Sequence, residues 1–220
     1  MTPLHRLTHT PLRAAIAGAL ALAVPAALVL PTAPAAAQDD RIDQAVAALR
    51  AITTMRADFT QTDRSGQVVR GVLTWKNPGR IRFAYERSVN MLVVSNGRSL
   101  TMIDYDVNQK QRWPISNSPL GALIDPRRDV KRYGTLLPTS NPNVISIEFK
   151  DRNKPEYPTI TTIFVRNAAA PGGLELTSWV ALDAQNKRTT VRLSNHRYGI
   201  AVPDSTFTYR DPTVRAGGRP

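Results

Sequence analysis

The stretch KNPGRIRFAY, residues 76–85, decides the fold because it joins a turn signal to a regular alternation. Its Asn, Pro and Gly are turn residues, and basic and apolar side chains then alternate. Since successive side chains of a strand point to opposite faces, Arg80 and Arg82 share one face. The opposite face carries Ile81, Phe83 and Tyr85. The pattern predicts a strand with a basic outer face and a large apolar inner face.

Similar strand patterns lie on both sides of this stretch. An Asn-Gly pair at 96–97, between two apolar runs, is a strong hairpin signal. In the first half, the predicted strands are Ala57–Asp63, Gln67–Lys76, Arg80–Glu86, Met91–Ser95, Arg98–Asp104 and Gln111–Ile115. In the second half, they are Asn143–Lys150, Thr159–Arg166, Leu174–Leu182, Arg188–Arg197 and Ser205–Tyr209. The short turns between them indicate an antiparallel meander.

Two regions have helical spacing instead. Apolar residues at helical intervals predict an amphipathic helix over Asp40–Met55, and Asp40 and Asp43 are its candidate capping residues. Ser118–Gly134 predicts two short helices divided by Pro126. We therefore expect a mainly β fold with helices, of the α+β class. Its simplest packing is one strongly curved antiparallel sheet with helices against the concave face.

The first 37 residues have the pattern of a secretory signal peptide. Arg6 and Arg13 precede an apolar run over residues 14–30, and an Ala-x-Ala site ends at Ala37. The run is short for a membrane span. We predict a cleaved signal peptide over 1–37, one domain over 38–211 and a flexible tail over 212–220.

The chain is strongly basic, with 29 Lys and Arg against 17 Asp and Glu. The predicted signal peptide contains Arg6 and Arg13 and no acid, which leaves 27 cations against 17 acids, or about +10. Such a field attracts anionic partners, for example membrane headgroups or acidic proteins. No nucleic acid is expected as a partner, because the arginines are scattered and no nucleic-acid motif with stacking aromatic residues accompanies them.

The sequence offers little catalytic or metal-binding chemistry. It has no cysteine, which excludes thiol nucleophiles, thiolate metal sites and cysteine lipidation. Beyond residue 37 the sole histidine is His196, in a strand-like run that favours a surface position over a catalytic one. Asp104 and Asp106 are candidate paired acids, but they flank a turn, where Asp is common. We expect no catalysis, no cofactor and no metal.

The large apolar side chains on the strand faces have two interpretations. They either fill an ordinary core or line a cavity, because a strongly curved sheet encloses more space than its side chains must fill. The candidates for a cavity wall are Leu73, Trp75, Ile81, Phe83, Tyr85, Met91 and Val93.

Five stretches of the chain resemble the LolA family of periplasmic carriers of outer-membrane lipoproteins. They occur in the order and with the spacing typical of that family. The stretches are ADFTQ (57–61), GVLTWKNPGRIRFAY (71–85), VVSNGRSL (93–100), SPLGALI (118–124) and VPDSTFTY (202–209).

The resemblance implies an unclosed β-barrel of about ten to eleven strands with a helical lid. It implies a soluble periplasmic carrier that binds the acyl chains of lipoproteins. These would come from an inner-membrane ABC-type release complex and pass to an outer-membrane receptor. The resemblance places Ile81, Phe83 and Tyr85 on the inward-facing strand and Leu120, Leu123 and Ile124 on the lid. A monomer is expected, because no oligomerisation signal is visible.

Position 77 departs from the family pattern. Family members carry an arginine immediately before the proline of this turn, and that arginine ties the barrel to the lid. Here the residue is Asn77. Either the latch is weaker, or Arg80 or Arg82 substitutes for it. On the outer face, these two arginines could instead dock anionic headgroups or a transport partner.

Other functions stay open at this point. A periplasmic regulatory sensor built on the same sheet would carry a further domain, for which this length leaves little room. A membrane-fixed acceptor of the same fold would need a lipidated cysteine. A periplasmic hydrolase would need a convergent polar site, and only His196 offers a starting point.

Overall fold

A computed structural model of the protein describes residues 35–212, with side chains from residue 40 onward. The predicted signal peptide and the predicted tail therefore lie outside the described residues, except for residues 35–37 and 212. Within the described range, no helix combines the length and the apolar character needed to cross a membrane.

Within residues 35–212, eleven antiparallel strands form one sheet. They are β1 (Thr54–Thr62), β2 (Val68–Lys76), β3 (Arg80–Tyr85), β4 (Met91–Asn96), β5 (Ser99–Asp104), β6 (Gln109–Pro114), β7 (Gly134–Leu137), β8 (Val144–Phe149), β9 (Thr159–Arg166), β10 (Leu174–Leu182) and β11 (Arg188–Tyr198). Their order across the sheet is β6-β5-β4-β3-β2-β1-β11-β10-β9-β8-β7. The edge strands β6 and β7 do not pair, so the sheet is unclosed, which confirms the predicted fold class.

Two α-helices and three short 3₁₀ turns complete the described part of the chain. The helices are α1 (Ala35–Ala51) and α2 (Pro119–Ile124), and the turns are Lys131–Tyr133, Pro171–Gly173 and Asp204–Phe207. The prediction of two short helical segments between residues 118 and 134 is confirmed.

The first helix differs from the prediction at both ends. It begins at Ala35 and ends at Ala51, so Asp40 and Asp43 lie inside it and do not cap it. It stops before Met55 because the chain enters β1 at Thr54. From there burial alternates with the period of a strand, and Met55 belongs to the buried set.

One predicted strand is wrong and one observed strand was not predicted. The segment Ser205–Tyr209 is not a strand, because residues 204–207 form a 3₁₀ turn whose Phe207 packs on a small apolar cluster. The four-residue β7 was missed beside the turn at Lys131–Tyr133. The other predicted strands are observed with ends shifted by at most three residues.

The main core lies between the concave face of the sheet and α1. The helix contributes Ile42, Val46 and Leu49, each at most 6% exposed, to this core. Most of the rest comes from the inward-facing positions of the strands, since these alternate with solvent-facing positions. Ile145, Ile147 and Phe149 of β8 are fully buried within it.

The chain after β11 runs back over the outer face of β3 and β4, and we call residues 202–210 the C-terminal strap. The Nζ of Lys76 donates to the carbonyl oxygen of Val202 at 2.9 Å. Arg82 donates from Nη1 to the carbonyl oxygen of Thr206 at 3.1 Å. The basic outer face of β2 and β3 therefore holds the strap in place.

Candidate functional site: an apolar cavity under a short helix

A cavity of about 230 Å³ lies between the concave face of the sheet and the two helices. None of the described residues that line it carries a formal charge. Its polar lining comes from Gln61, Thr162 and Thr189. The other lining residues are Leu49, Leu73, Trp75, Ile81, Phe83, Tyr85, Val93, Leu100, Leu120, Leu123, Ile124, Pro158, Ile160, Leu176, Trp179, Ala181 and Val191.

Most residues predicted from the sequence as cavity residues lie at this cavity. The six that line it are Leu73, Trp75, Ile81, Phe83, Tyr85 and Val93. Met91 does not line it, because it is the first residue of β4 and lies one inward-facing position beyond Val93, opposite Asp104 of β5. The predicted lid residues Leu120, Leu123 and Ile124 also line the cavity.

An aromatic cluster forms one wall of the cavity. The ring of Phe59 packs edge-on against Phe83 and Tyr85, with centroids 5.3 and 5.0 Å apart. Phe83 makes a third edge-on contact with Trp179 of β10, at 5.9 Å. Such contacts stabilise beyond simple area burial. They join the first half of the sheet to the second half.

The Tyr85 hydroxyl adds a polar group to this aromatic wall. It donates to Gln61 Oε1 at 2.8 Å, so its polar end is satisfied within an apolar surface. Burial is the main cause that raises the pKa of Tyr85 to about 12. Tyr85 therefore stays neutral at physiological pH, and the wall stays uncharged.

Sequence reasoning missed the part of the cavity that comes from distant segments. Leu49 enters from α1, while Ile160, Leu176, Trp179 and Val191 enter from β9, β10 and β11. These strands were predicted, and their alternation signalled an inward apolar face. Which of their residues would meet Phe83 depends on strand order, and the sequence did not provide that order.

The cavity is covered by α2, whose geometry is fixed at its start. Ser118 caps the helix, because its Oγ accepts a hydrogen bond from the Gly121 backbone N at 3.1 Å. The helix lies so close to the preceding segment that a Cβ on Gly121 would come within 1.8 Å of the Ile115 carbonyl oxygen. Only glycine permits this approach.

Two hydrogen bonds tie the end of α2 to the rest of the fold. The backbone N of Gly79, in the β2–β3 turn, donates to the Ile124 carbonyl oxygen at 2.9 Å. Arg50, near the end of α1, donates from Nε to the Pro126 carbonyl oxygen at 2.7 Å. These contacts hold the short helix over the cavity.

A buried carboxylate continues the attachment after α2. Asp125 is 6% exposed and pairs with Arg127 and Arg128. The hydrogen bond from Arg127 is the main cause that lowers the pKa of Asp125. Arg128 also donates to the Gly97 carbonyl oxygen at 3.1 Å and to that of Ser116. The segment after α2 is therefore bound to the β4–β5 turn.

Asn77 contacts α1 and the segment after it rather than α2. Its Nδ2 donates to the carbonyl oxygens of Leu49 and Ile52 at 2.9 and 2.6 Å. Its Oδ1 accepts from Trp75 Nε1 at 2.9 Å. Asn77 therefore anchors the end of α1 to the β2–β3 turn.

The expectation that Arg80 or Arg82 substitutes as a latch to the lid is wrong. Arg80 pairs with Asp204 at 2.5 Å, and Arg82 donates to the carbonyl oxygens of Thr206 and Thr208. Both arginines point to the outer face and hold the C-terminal strap. The lid is held instead by Gly79 and Arg50.

The candidate catalytic residues have structural contacts. His196 was expected at the surface, but its side chain is 6% exposed and its Nε2 lies 3.0 Å from the Leu176 carbonyl oxygen. Asp104 Oδ1 accepts from the backbone N of Asp106, and Asp106 accepts from Asn90 Nδ2. These are turn contacts. Within residues 35–212, no cluster of His, Asp and Glu has the arrangement of a metal site.

Comparison with known proteins identifies relatives over most of the chain. Residues 50–210 match the family described as outer membrane lipoprotein carrier protein LolA. The outer-membrane lipoprotein carrier protein of Albidiferax ferrireducens is 24% identical over 178 residues, which covers 74% of this chain and 84% of that protein. The Bordetella pertussis protein of the same name is 27% identical over 205 residues, or 89% of this chain and 93% of that one.

Among solved structures, the LolA superfamily protein NE2245 from Nitrosomonas europaea aligns with a TM-score of 0.46 and 13% identity, over 78% of this chain and 97% of that one. The assignment rests on the sequence match, which spans well over half of the chain and includes the strands and the short helix around the cavity. This chain belongs to the LolA family.

Proposed function

We propose that this protein is a periplasmic carrier that binds the acyl chains of lipoproteins released from the inner membrane and delivers them to the outer membrane. The observation that carries the proposal is the uncharged cavity between the concave sheet face and α2. Relatives named outer-membrane lipoprotein carrier proteins support it. The role needs no chemical reaction and no cofactor.

The free-energy cost of exposing acyl chains to water makes such a carrier necessary. Each methylene removed from water contributes about 0.8 kcal/mol, so a chain of some sixteen carbons represents on the order of 10 kcal/mol. A lipoprotein with several such chains does not cross an aqueous compartment unaided. A protein wall such as that around Phe83 supplies the apolar surface that the membrane otherwise provides.

The size of the cavity implies that α2 moves on loading. A dry cavity of about 150 Å³ holds one benzene-sized molecule, so 230 Å³ holds only part of a long acyl chain. Leu120, Leu123 and Ile124 occupy the adjacent space in this structure. When α2 is displaced, their volume becomes available to the ligand.

The same arrangement favours release. Displacing α2 breaks the hydrogen bonds from Gly79 and Arg50 and exposes the buried side chains of Leu123 and Ile124. This cost subtracts from the gross free energy of acyl burial. The net affinity is therefore moderate, which suits a carrier that receives cargo from an ABC-type release complex and passes it to an outer-membrane receptor.

Substitution of Phe83 tests the proposed site. A Phe83→Glu variant places a charge on the cavity wall, and we expect its affinity for a synthetic triacylated lipopeptide to fall at least tenfold. The matched control is Val68→Glu on β2, because Val68 is 42% exposed on the outer face. Tryptophan fluorescence reports binding, and circular dichroism checks folding. Unchanged affinity in a folded Phe83→Glu variant would refute the cavity as the binding site.

A further inference from the structure

The convex face of the sheet, opposite the cavity, carries a separate groove of about 340 Å³. It runs between β11 and the C-terminal strap across the outer surface of β1, β2 and β3. Three of its lining residues are arginines and one is an acid. The lining is formed by Arg56, Asp58, Val72, Thr74, Arg82, Ala84, Arg197 and Thr206.

Strand register places two of these arginines side by side. Arg56 of β1 lies directly opposite Arg197 of β11. On its other side Arg56 faces Thr74 of β2, which in turn faces Arg82 of β3. Like charges directly opposite each other in a sheet are destabilising, so this arrangement costs stability in the protein alone.

The charges of this row are poorly compensated within the fold. The side chains of Arg56 and Arg197 make no hydrogen bond or ion pair with any residue of the described range. Arg56 Nε is buried, and it is the one buried side-chain nitrogen or oxygen of that range without a hydrogen-bond partner. The nearby Asp58 accepts a hydrogen bond from Asn195 Nδ2 at 2.7 Å. An unpaired buried donor carries a desolvation cost that an anionic acceptor removes.

The basic character continues along the same face. Thr60 of β1, two residues after Asp58, pairs with Arg192 of β11 on one side and with Arg70 of β2 on the other. Both are exposed on the outer face. The groove therefore lies within a positively charged field that reaches across β11, β1 and β2.

We propose that this groove is a docking site for an acidic segment of a partner protein, whose carboxylates pair with Arg56 and Arg197. Guanidinium groups bind carboxylates through paired hydrogen bonds. The half-buried Arg56 is recessed beside the strap, where a narrow chain reaches it and a flat bilayer does not. Docking on the convex face also leaves the cavity on the opposite face accessible, so the site acts independently of cargo binding.

A peptide-binding measurement tests this site. The probe is a short fluorescein-labelled poly-glutamate peptide at low ionic strength, followed by fluorescence anisotropy. The groove variant is Arg56→Gln/Arg197→Gln, and the matched control is Lys150→Gln/Arg152→Gln, which removes two exposed cations at the β8–β9 turn. We expect the groove variant to lose at least tenfold in affinity and the control to bind like wild type. An equal loss in both variants would overturn the site.

Two further measurements sharpen the assignment. Vesicles of phosphatidylglycerol and phosphatidylcholine replace the peptide in a sedimentation assay. Vesicle binding that depends on Arg56 and Arg197, without peptide binding, would overturn the protein partner in favour of a membrane. In thermal unfolding without ligand, Arg197→Gln should raise Tm, because it removes the like-charge pair. A lower Tm would show that the pair is compensated within the fold and would contradict the proposal.

Discussion

Arg50 of α1 donates a hydrogen bond of 2.7 Å from Nε to the carbonyl oxygen of Pro126, two residues after α2. Helix α1 therefore holds the end of the lid in place. On the same helix, Arg41 donates to the Val144 carbonyl oxygen at 2.8 Å and holds β8 instead. Two arginines of one helix thus make the same type of contact with different targets. This pair allows the lid contact to be tested against a matched control.

Removing the Arg50 contact should favour the open lid. A hydrogen bond from a charged donor contributes about 1.5–3 kcal/mol, and Pro126 is buried, so Arg50→Met should raise the affinity for a triacylated lipopeptide about tenfold or more. Arg41→Met should leave the affinity unchanged. Fluorescence titration measures both variants. An unchanged affinity in Arg50→Met, or the same rise in both variants, would contradict the latch.

Asn77 should act on stability rather than on gating. Asn77→Ala leaves the buried Trp75 Nε1 without its acceptor and the Leu49 and Ile52 carbonyl oxygens without a donor. We expect the free energy of unfolding to fall by about 2–3 kcal/mol, measured by urea denaturation. The control Asn153→Ala, at an exposed position of the β8–β9 turn outside the positive-φ residues, should cost less than about 0.5 kcal/mol. A loss this small for Asn77→Ala would show that its three contacts are not structural.

A methyl group on Gly121 should displace the lid without unfolding the sheet. The added Cβ would lie 1.8 Å from the Ile115 carbonyl oxygen, which is backbone and has little freedom to move. In Gly121→Ala, amide hydrogen exchange should accelerate in residues 118–125 and stay slow in the strands. In the control Gly134→Ala, the nearest atom lies at 3.3 Å and φ is −84°, so exchange in the lid should not change. Protection of residues 118–125 as in wild type would contradict this packing.

Tyr85 should make stability fall at alkaline pH. Its folded-state pKa is about 12 against an ordinary value of 10.0, so its contribution is complete below pH 10 and is lost as pH rises toward 12. The slope approaches about 1.4 kcal/mol per pH unit for one proton. Tyr198, whose pKa burial also raises, adds to the slope, and Tyr85→Phe should remove its own share. Urea denaturation across this pH range measures the slope, and an unchanged slope in the variant would contradict the burial of the hydroxyl.

Much of the fold could be predicted from local patterns. The alternation in KNPGRIRFAY and the Asn-Gly pair at 96–97 are short-range signals, and both give the observed hairpins. The strand prediction for Ser205–Tyr209 was wrong because the apolar residues of this segment have strand spacing. Phe207 instead packs on Leu92, Val94 and Ile103 of the outer face. That cluster is formed only after β4 and β5 pair.

Only the part of the cavity formed by the first half of the sheet and by the lid could be predicted from the sequence. Phe83 and Leu123 belong to patterns that were recognised in the sequence, while Trp179 joins them across the sheet through strand order. The roles of Arg50 and Asn77 depend on how α1 meets the β2–β3 turn. The facing pair of Arg56 and Arg197 depends on the β1–β11 register. These are long-range contacts without a local signal.

The most direct test of the carrier function is release of lipoprotein from inner membranes. Purified protein is incubated with inner-membrane vesicles that hold an ABC-type release complex, lipoprotein and ATP, and the soluble fraction is examined by size exclusion and intact mass spectrometry. We predict a soluble complex with triacylated lipoprotein for wild type and Val68→Glu, and none for Phe83→Glu. Lipoprotein that stays in the membrane with folded wild-type protein, or equal release by Phe83→Glu, would contradict the account.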